Sequence, residues 1–599
     1  MPKWTEEQSQ AINSSGKNII VSAGAGSGKT AVLSERVLRI VKSGIDIDRL
    51  LILTFTKAAA YEMMLRIRKK IKKEGLLDQV EKIDKAYITT FDSFALSIVR
   101  KYHDVLNISP NISIIDNATM YLVKKEKLEL IFNNLYEEEN PTFQKLITCF
   151  CTKDDKNLKD WILNISNKLD LKVDKEDYLN TYLDTFFDNK KIDNDINTYF
   201  NYIKSEAKKI YPLLSTLELE LDGDYCYSIR EIIDNIEESE SYDILVTKLD
   251  YKLSNLPRGS SDEAKKTKQE ISKMLDKIKK LCNYNDSAEI KESILNTHDL
   301  VKIIIEIITR LDNEVNKYKS EYNIYEFIDI SKFAIKIVKE HKEIKEELKN
   351  YFYEIMIDEY QDTNDLQEIF ISMIENNNVY MVGDIKQSIY RFRNANPNIF
   401  KKKYNDYANG ILGLKIDLNK NFRSRGEVLD DINQIFNLIM NDELGGAQYK
   451  ETHQMVFGNN TYIEEGKTKQ SYKTEIYNYT YEKNSIFTKD EIEAFIVAED
   501  IKKKVDEHYQ IFDKDTLLLH DAKYSDFVIL MDRSSKFDLY KKILEYYKIP
   551  STILKEENIL NHIEIYLIKN LINLYIKITN KEFDESFKYR PMFIGRIFT

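Results

Sequence analysis

Hydrophobic and polar positions alternate in two registers along the chain. Short apolar runs rich in β-branched residues recur at 18–22, 50–55, 86–90, 353–358, 379–384, 414–418 and 527–532, each followed by polar turn residues or by i, i+3, i+4 apolar spacing. Strands alternating with helical patterns predict an α/β fold with a mainly parallel sheet. Between about residues 110 and 345 the strand signal disappears and long, charged, helically spaced stretches replace it, which predicts a helical insertion. One of its helices is marked by Ile271, Met274, Leu275, Ile278 and Leu281, after Pro257-Arg258-Gly259 and a predicted capping box of Ser260 with Glu263. In parallel sheets ligands sit beyond the carboxyl ends of the strands, so the residues that follow the apolar runs are the ones to inspect.

Composition narrows the class without deciding it. At 599 residues and 43% hydrophobic, the chain is long enough for three or four domains. It opens without an apolar signal core and has no run of membrane-spanning length, so the expectation is a protein without a membrane partner, in the cytoplasm. Cys149, Cys151, Cys226 and Cys282 form no Cys-x-x-Cys pair, and the seven histidines show no ligand spacing with them, so no metal is expected there. The net charge of −11 is unlike that of a simple duplex-binding domain. A protein that grips one strand in a narrow groove can be acidic elsewhere, so local motifs must decide.

The run at 18–22 leads into Ala23-Gly24-Ala25-Gly26-Ser27-Gly28-Lys29-Thr30 and then a helical pattern over 31–42. Strand, glycine loop and helix make a phosphate cradle. Glycines turn backbone amides inward, the helix N-terminus adds positive potential, Lys29 reaches the β and γ phosphates, and Thr30 can ligate magnesium. Ala23 stands where the first glycine is usual. At the end of the run at 353–358 come Asp358-Glu359-Tyr360-Gln361-Asp362. Asp358 is read as the Mg²⁺ ligand and Glu359 as the residue that orients and activates water, because phosphoryl transfer depends on positioning and electrostatics.

The order of these blocks resembles the superfamily 1A helicases of the UvrD, Rep and PcrA kind. Thr5-Glu6-Glu7-Gln8-Ser9-Gln10-Ala11 is similar to the Q motif, where the resemblance implies that Gln8 reads adenine. Leu53-Thr54-Phe55-Thr56-Lys57-Ala58-Ala59-Ala60 resembles motif Ia, and Ile88-Thr89-Thr90-Phe91-Asp92-Ser93-Phe94 resembles motif Ib with Asp92 where a histidine is usual. Asp358 to Thr363 is similar to motif II, and Val382-Gly383-Asp384-Ile385-Lys386-Gln387-Ser388-Ile389-Tyr390-Arg391-Phe392-Arg393 to motif III. Leu418-Asn419-Lys420-Asn421-Phe422-Arg423-Ser424 resembles motif IV, residues 526–533 the strand after it, and Glu564-Ile565 a short helix near the second insertion. The resemblance implies ATP and Mg²⁺ as cofactors, with Gln387 sensing the γ-phosphate, Phe422 stacking on adenine and Arg423 acting as an arginine finger. It implies DNA contacts from Thr54, Phe55, Thr56, Thr90, Ser93, Phe94, Tyr390 and Phe392.

Within those helicases the wording of these blocks, the large insertion and Glu326-Phe327-Ile328-Asp329 resemble the larger helicase chains of AddAB-type helicase-nucleases. The expectation is an ATP-dependent 3′–5′ DNA helicase or translocase subunit, binding single strands and duplex ends beside an AddB-like partner in recombination repair. The implied domains are a motor domain 1A over 1–110 and 346–413, an insertion 1B over 111–345, and an incomplete second motor domain 2A over 414–599. Beyond Arg533 no counterpart of motifs V and VI, of a carboxylate nuclease cluster or of iron-sulfur cysteines is found, so no nuclease activity and impaired turnover are expected of this chain. Three rivals remain: a stand-alone UvrD-type repair helicase, a noncatalytic fragment that binds ATP and DNA, and a P-loop ATPase unrelated to DNA.

Overall fold

The computed structural model describes residues 4–554 apart from 222, 465–469, 483–484 and 514–515, together with 565, 567–572 and 575. Glu564 therefore lies outside the described residues. The chain forms two compact units, Met1–Ala23 with Gly28–Leu418, and Gly24–Ser27 with Asn419–Thr599.

The first unit is built on six strands, β1 (Asn18–Ala23), β2 (Leu50–Thr54), β3 (Tyr87–Thr90), β4 (Glu354–Ile357), β5 (Val379–Gly383) and β6 (Gly413–Leu418). They lie in the order β3-β2-β4-β5-β1-β6, and every pairing is parallel. Strands β1, β2, β4 and β5 are buried along their whole length. That is why they read as continuous apolar runs: helices cover both faces of a parallel sheet. On one face Val37 and Leu38 of helix Lys29–Lys42 and Ile67 and Ile71 of helix Lys57–Lys73 share a core with Ile19, Val21, Ile52, Tyr380 and Val382. Elsewhere in the unit helix Phe327–Glu340 packs on helices Phe91–Lys101 and Asp365–Ile374. The register brings Ser22 level with Gly383 and Thr54 level with Thr90, so the loops that leave the strands gather at one edge of the sheet.

Two boundaries differ from those expected of the sequence. Strand β6 pairs with β1 from Asn18↔Gly413 to Ala23↔Leu418, so the break expected at 413/414 falls instead after Leu418. Backbone pairing holds that strand in the first sheet. Residues 527–532 carry no strand: Phe527, Ile529 and Met531 pack on the core of helices Lys489–Asp506 and Phe537–Tyr546. Val528 and Leu530 on the other side are 80% and 89% exposed. The alternation is real, but among the described residues it has no ladder partner.

The insertion contains two separate apolar cores. One gathers Met120, Leu128, Phe132, Leu163, Ile307 and Leu311; the other lies wholly within 192–290 and includes Ile203, Ile233 and Leu275. At its root Ser113–Ile114 pairs in parallel with Ile324–Tyr325. Helix Asp262–Leu281 buries Ile271, Leu275 and Ile278 as its spacing predicts. Its cap is one residue later than the sequence suggests: Ser261 accepts from the Ala264 amide at 2.9 Å, while the Ser260 hydroxyl donates to the Pro257 carbonyl at 2.8 Å. Among the described residues no helix is long and apolar enough to cross a membrane.

Candidate nucleotide and nucleic-acid site

Strand β1 hands the chain to the glycine loop at the carboxyl edge of the sheet. Gly26 and Gly28 hold φ of 71° and 87°, a region most side chains avoid. Gly28 is the N-cap of helix Lys29–Lys42 and brings no side-chain cap to the first amides of that helix. The Lys29 ammonium, behind this loop, donates to both Glu359 oxygens, at 3.1 and 3.0 Å.

Glu359 leaves β4 in the left-handed region, with φ 54°, and this bend turns its carboxylate toward Lys29. From there a chain of side-chain contacts runs sideways. Gln361 Nε2 donates to Glu359 at 2.8 Å, and Gln361 Oε1 accepts from the Asp384 amide at 2.9 Å. Gln387 Nε2 then donates to Asp384 at 2.8 Å, and Lys386 pairs with the same carboxylate at 2.9 Å. Asp384 follows β5, the strand between β1 and β4, so the sheet order itself brings the loop that carries Gln387 next to the loop that follows the acids. Gly383 makes the close approach possible: a Cβ there would stand 2.5 Å from Gln361 Oε1.

Asp358 stands next to Glu359, and its carboxyl is pushed up to about 6, first by desolvation and then by the Glu359 charge, against the pull of Lys29. Asp362 is raised to about 6 in the same way. A divalent cation would favour the charged form of Asp358, and a carboxylate is a donor of the hard-oxygen kind that Mg²⁺ takes with phosphate and water. Among the described residues no group of three or more His, Cys, Asp or Glu forms a metal cage.

At the base of the same edge Gln8 lies 7% exposed in helix Glu6–Asn13. Its side chain closes a capping box with Thr5, accepting from the Thr5 amide at 3.0 Å. Its Nε2 lies 3.3 Å from the position a Gly28 Cβ would take.

Beyond β2, β3 and β4 a cavity of about 240 Å³ is lined by Thr54, Phe55, Thr90, Asp92, Asp358, Glu359, Asp362 and Arg393 among others. It joins residues expected at the nucleotide to residues expected at a nucleic acid. The rings of Phe55 and Tyr390 lie 4.5 Å apart, Tyr390 and Phe392 5.7 Å apart. Arg393 stands within 6 Å of all three centroids, at 5.9, 5.4 and 5.8 Å. Phe392 is 76% exposed. Thr56 caps helix Lys57–Lys73 and Thr90 caps helix Phe91–Lys101, accepting from the Ser93 amide at 3.3 Å, so both hydroxyls hold backbone at the rim. The structure departs from the expectation for Phe94: it is fully buried, edge-on to Tyr87, Phe352 and Phe370, with no exposed surface to offer a nucleic acid. The helical period that shows Ser93 turns Phe94 into the core. Burial raises the Asp92 carboxyl against the pull of Lys57.

Within the second unit Asn421 Nδ2 donates to the Ala25 carbonyl at 2.6 Å, and its Oδ1 accepts from the amides of Arg423 and Ser424, each at 2.8 Å. The Phe422 ring lies against Gly458, where a Cβ would come within 2.9 Å of it. Tyr462 donates to the Arg423 carbonyl at 2.7 Å. Gln361, Asp362, Asp384, Arg393 and Asn421 do not stand out in the sequence, although each lies inside one of the motifs quoted above.

A parallel sheet with a glycine loop after β1 and paired acids after β4 defines a P-loop NTPase core. Comparison with known proteins takes the assignment further. Residues 4–408 match the UvrD/REP helicase N-terminal domain, and the chain belongs to that family. It is similar to the A chain of the ATP-dependent helicase/nuclease of Clostridium novyi (strain NT), 33% identical over 89% of this chain and 48% of that protein. The Clostridioides difficile (strain 630) protein of that name is 34% identical over 77% of this chain and 40% of its own length. For Lactobacillus johnsonii the values are 32%, 96% and 52%. The chain spans about half the length of the curated relatives it matches.

Proposed function

We propose that this chain is the ATP-binding, strand-gripping part of a DNA helicase or translocase. The observation that carries this reading is the unbroken series Lys29, Glu359, Gln361, Asp384, Gln387, which starts at the phosphate loop and ends three residues before the aromatic group of Tyr390 and Phe392. Nothing in a simple phosphate-hydrolysing enzyme requires that series to end beside a group of aromatic rings, one of them exposed, and an arginine.

In this reading Ala23, Gly24, Ala25, Gly26, Ser27 and Gly28 wrap the phosphates with backbone amides, and Lys29 exchanges Glu359 for phosphate oxygens. Glu359, so released, orients the attacking water and takes its proton. Thr30 and Asp358 hold Mg²⁺, which when bound screens phosphate charge. Gln387 reports the γ-phosphate, and Phe422 and Arg423 serve adenine and the γ-phosphate by the resemblance. Phe55, Tyr390 and Phe392 offer π-faces, each base stacked on such a ring contributing about 1–3 kcal/mol whatever its identity. Thr54, Thr56, Thr90 and Ser93 line the backbone path. The relatives' name adds an ATP-dependent helicase within a multisubunit helicase-nuclease. By the resemblance of its motifs, the whole protein moves 3′ to 5′ from duplex ends, beside an AddB-like partner, in recombination repair in the bacterial cytoplasm.

The test is ATP hydrolysis with and without single-stranded DNA. Turnover that is low but stimulated by DNA, abolished in Lys29→Ala and reduced at least ~100-fold in Glu359→Gln with nucleotide binding kept, is expected. Turnover indifferent to both substitutions would sink the proposal.

A further inference from the structure

Helix Glu6–Asn13, which carries Gln8, has only eight residues. Two turns are marginal by themselves, since nucleation is unfavourable and tertiary contacts supply most helical stability. Its first turn is closed by the Thr5–Gln8 box. Its last carbonyls, which have no partner within a helix, need one from outside.

Arg36 supplies it. Its Nη1 donates to the carbonyls of Ala11 at 3.0 Å and Ile12 at 3.3 Å. The other edge of the guanidinium forms a two-pronged bond with Glu354, Nε to Oε1 at 2.5 Å and Nη2 to Oε2 at 2.8 Å. Its face lies over the Tyr380 ring at 4.3 Å from the centroid. Arg36, Glu354 and Tyr380 are 3%, 5% and 0% exposed, so this is an interior assembly.

Each partner belongs to a different part of the nucleotide site. Arg36 rides on helix Lys29–Lys42, whose N-terminus is the phosphate loop; Glu354 opens β4, whose far end delivers Asp358 and Glu359; Tyr380 lies in β5, before Asp384. Ala11 and Ile12 stand three and four residues after Gln8, on the same buried face of its helix. A buried ion pair is weak as a source of stability, because apolar side chains of similar volume often do as well or better. A planar fork that engages a carboxylate and two carbonyls at fixed angles is strong as a source of geometry.

We propose that Arg36, held by Glu354, is a positioning residue that sets the Gln8 helix against the phosphate loop and thereby fixes the chain's preference for adenine over other bases. The inference rests on the reading of Gln8 as the adenine-contacting residue. Arg36 touches no substrate and acts only through the Ala11 and Ile12 carbonyls. A structural brace alone would affect all nucleotides equally; a positioning residue affects the base and spares the phosphates.

The experiment is calorimetric binding of adenylyl imidodiphosphate, guanylyl imidodiphosphate and inorganic tripolyphosphate to the full chain, with thermal unfolding recorded for every variant. Gln8→Ala is expected to lower the adenine-to-guanine affinity ratio about 10-fold, as loss of a hydrogen-bonded contact does. The double variant Arg36→Met with Glu354→Leu keeps the interior filled without charge. It is expected to lose the ratio to the same extent, while tripolyphosphate affinity stays within about 2-fold and the midpoint is not lowered. Arg36→Lys keeps the charge but not the fork and is expected to lose most of the ratio too, which decides the matter should the double variant unfold. A normal ratio in the Arg36 variants with a lost ratio in Gln8→Ala overturns the positioning role alone. A normal ratio in Gln8→Ala overturns the adenine reading and the inference with it. Equal loss for all three ligands makes the pair a general brace and overturns the inference.

Discussion

Asp358 and Asp362 stand at the edge of ionisation, and that has a pH signature. The ordinary carboxyl value for each is 3.8, and in the fold both rise to about 6. Between those values the folded chain binds more protons than the unfolded one, so the charged Asp358 carboxylate destabilises the fold as pH climbs from about 4 to about 6. Asp358→Asn removes that burden. The variant is expected to be more stable than the wild type above pH 6, with the difference fading to nothing as pH falls to about 4, measured by urea unfolding across the range. The same carboxylate is the expected Mg²⁺ ligand, so Mg²⁺-dependent nucleotide affinity of the wild type should fall as pH drops through 6. A stability difference that does not change with pH would show that Asp358 is not so perturbed. Two aromatic residues separate packing from recognition in the same manner. Phe94→Ala should destabilise by about 3–5 kcal/mol, as emptied aromatic core sites do. Phe392→Ala should change stability by less than about 0.5 kcal/mol and weaken single-strand binding by about 1–3 kcal/mol. Urea titration and fluorescence anisotropy with an oligonucleotide check the pair.

At the scale of elements, the parts that can be read from the sequence are those whose environment is set locally. Strands β1, β2, β4 and β5 announce themselves because burial on both faces demands unbroken apolar runs, and the glycine loop because no other residue type holds φ near 70–90° without strain. Residues 527–532 have the same composition but gain no ladder, since composition does not say which backbone lies alongside. Phe94 looks like a contact residue from its motif and is core because helix Phe91–Lys101 turns it inward. Gln361 and Asp384 escape a reading of the sequence because their importance lies in one bond between two loops, which only the sheet order creates. That bond gives an element-scale prediction. Gly383→Ala would put a Cβ 2.5 Å from Gln361 Oε1 and 3.1 Å from the Gln361 amide. The loop after β4 must shift, and the link from Glu359 to Gln387 with it. We expect DNA-stimulated turnover to drop at least ~10-fold while nucleotide affinity, which depends on the loop after β1, changes little. Steady-state kinetics with separate kcat and KM would show it; unchanged kcat would mean that the link is incidental.

For the whole molecule, the insertion is two bodies rather than one, which no periodicity along the chain could reveal. The core within 192–290 shares no residue with the core that gathers Met120, Phe132 and Leu311. Its own bonds close on themselves: Tyr199 donates to the Leu281 carbonyl at 2.6 Å, Tyr242 to the Tyr284 carbonyl at 3.1 Å, and Lys291 to Asp193 at 2.8 Å. The chain enters and leaves it at one place, for the rings of Phe187 and His298 lie edge to face with centroids 5.0 Å apart. Adjacent ends and a private core are the marks of a module that can be inserted or removed without disturbing its host. Residues 189–296 expressed alone should therefore unfold cooperatively in urea, followed by helical circular dichroism. The chain with Asp188 joined to Thr297 through a short glycine-serine linker should keep nucleotide affinity within about 2-fold, because among the described residues the module's core shares no residue with the core of the sheet that carries Lys29 and Glu359. A fragment without a cooperative transition, or a shortened chain that no longer binds nucleotide, would show that the two cores fold as one.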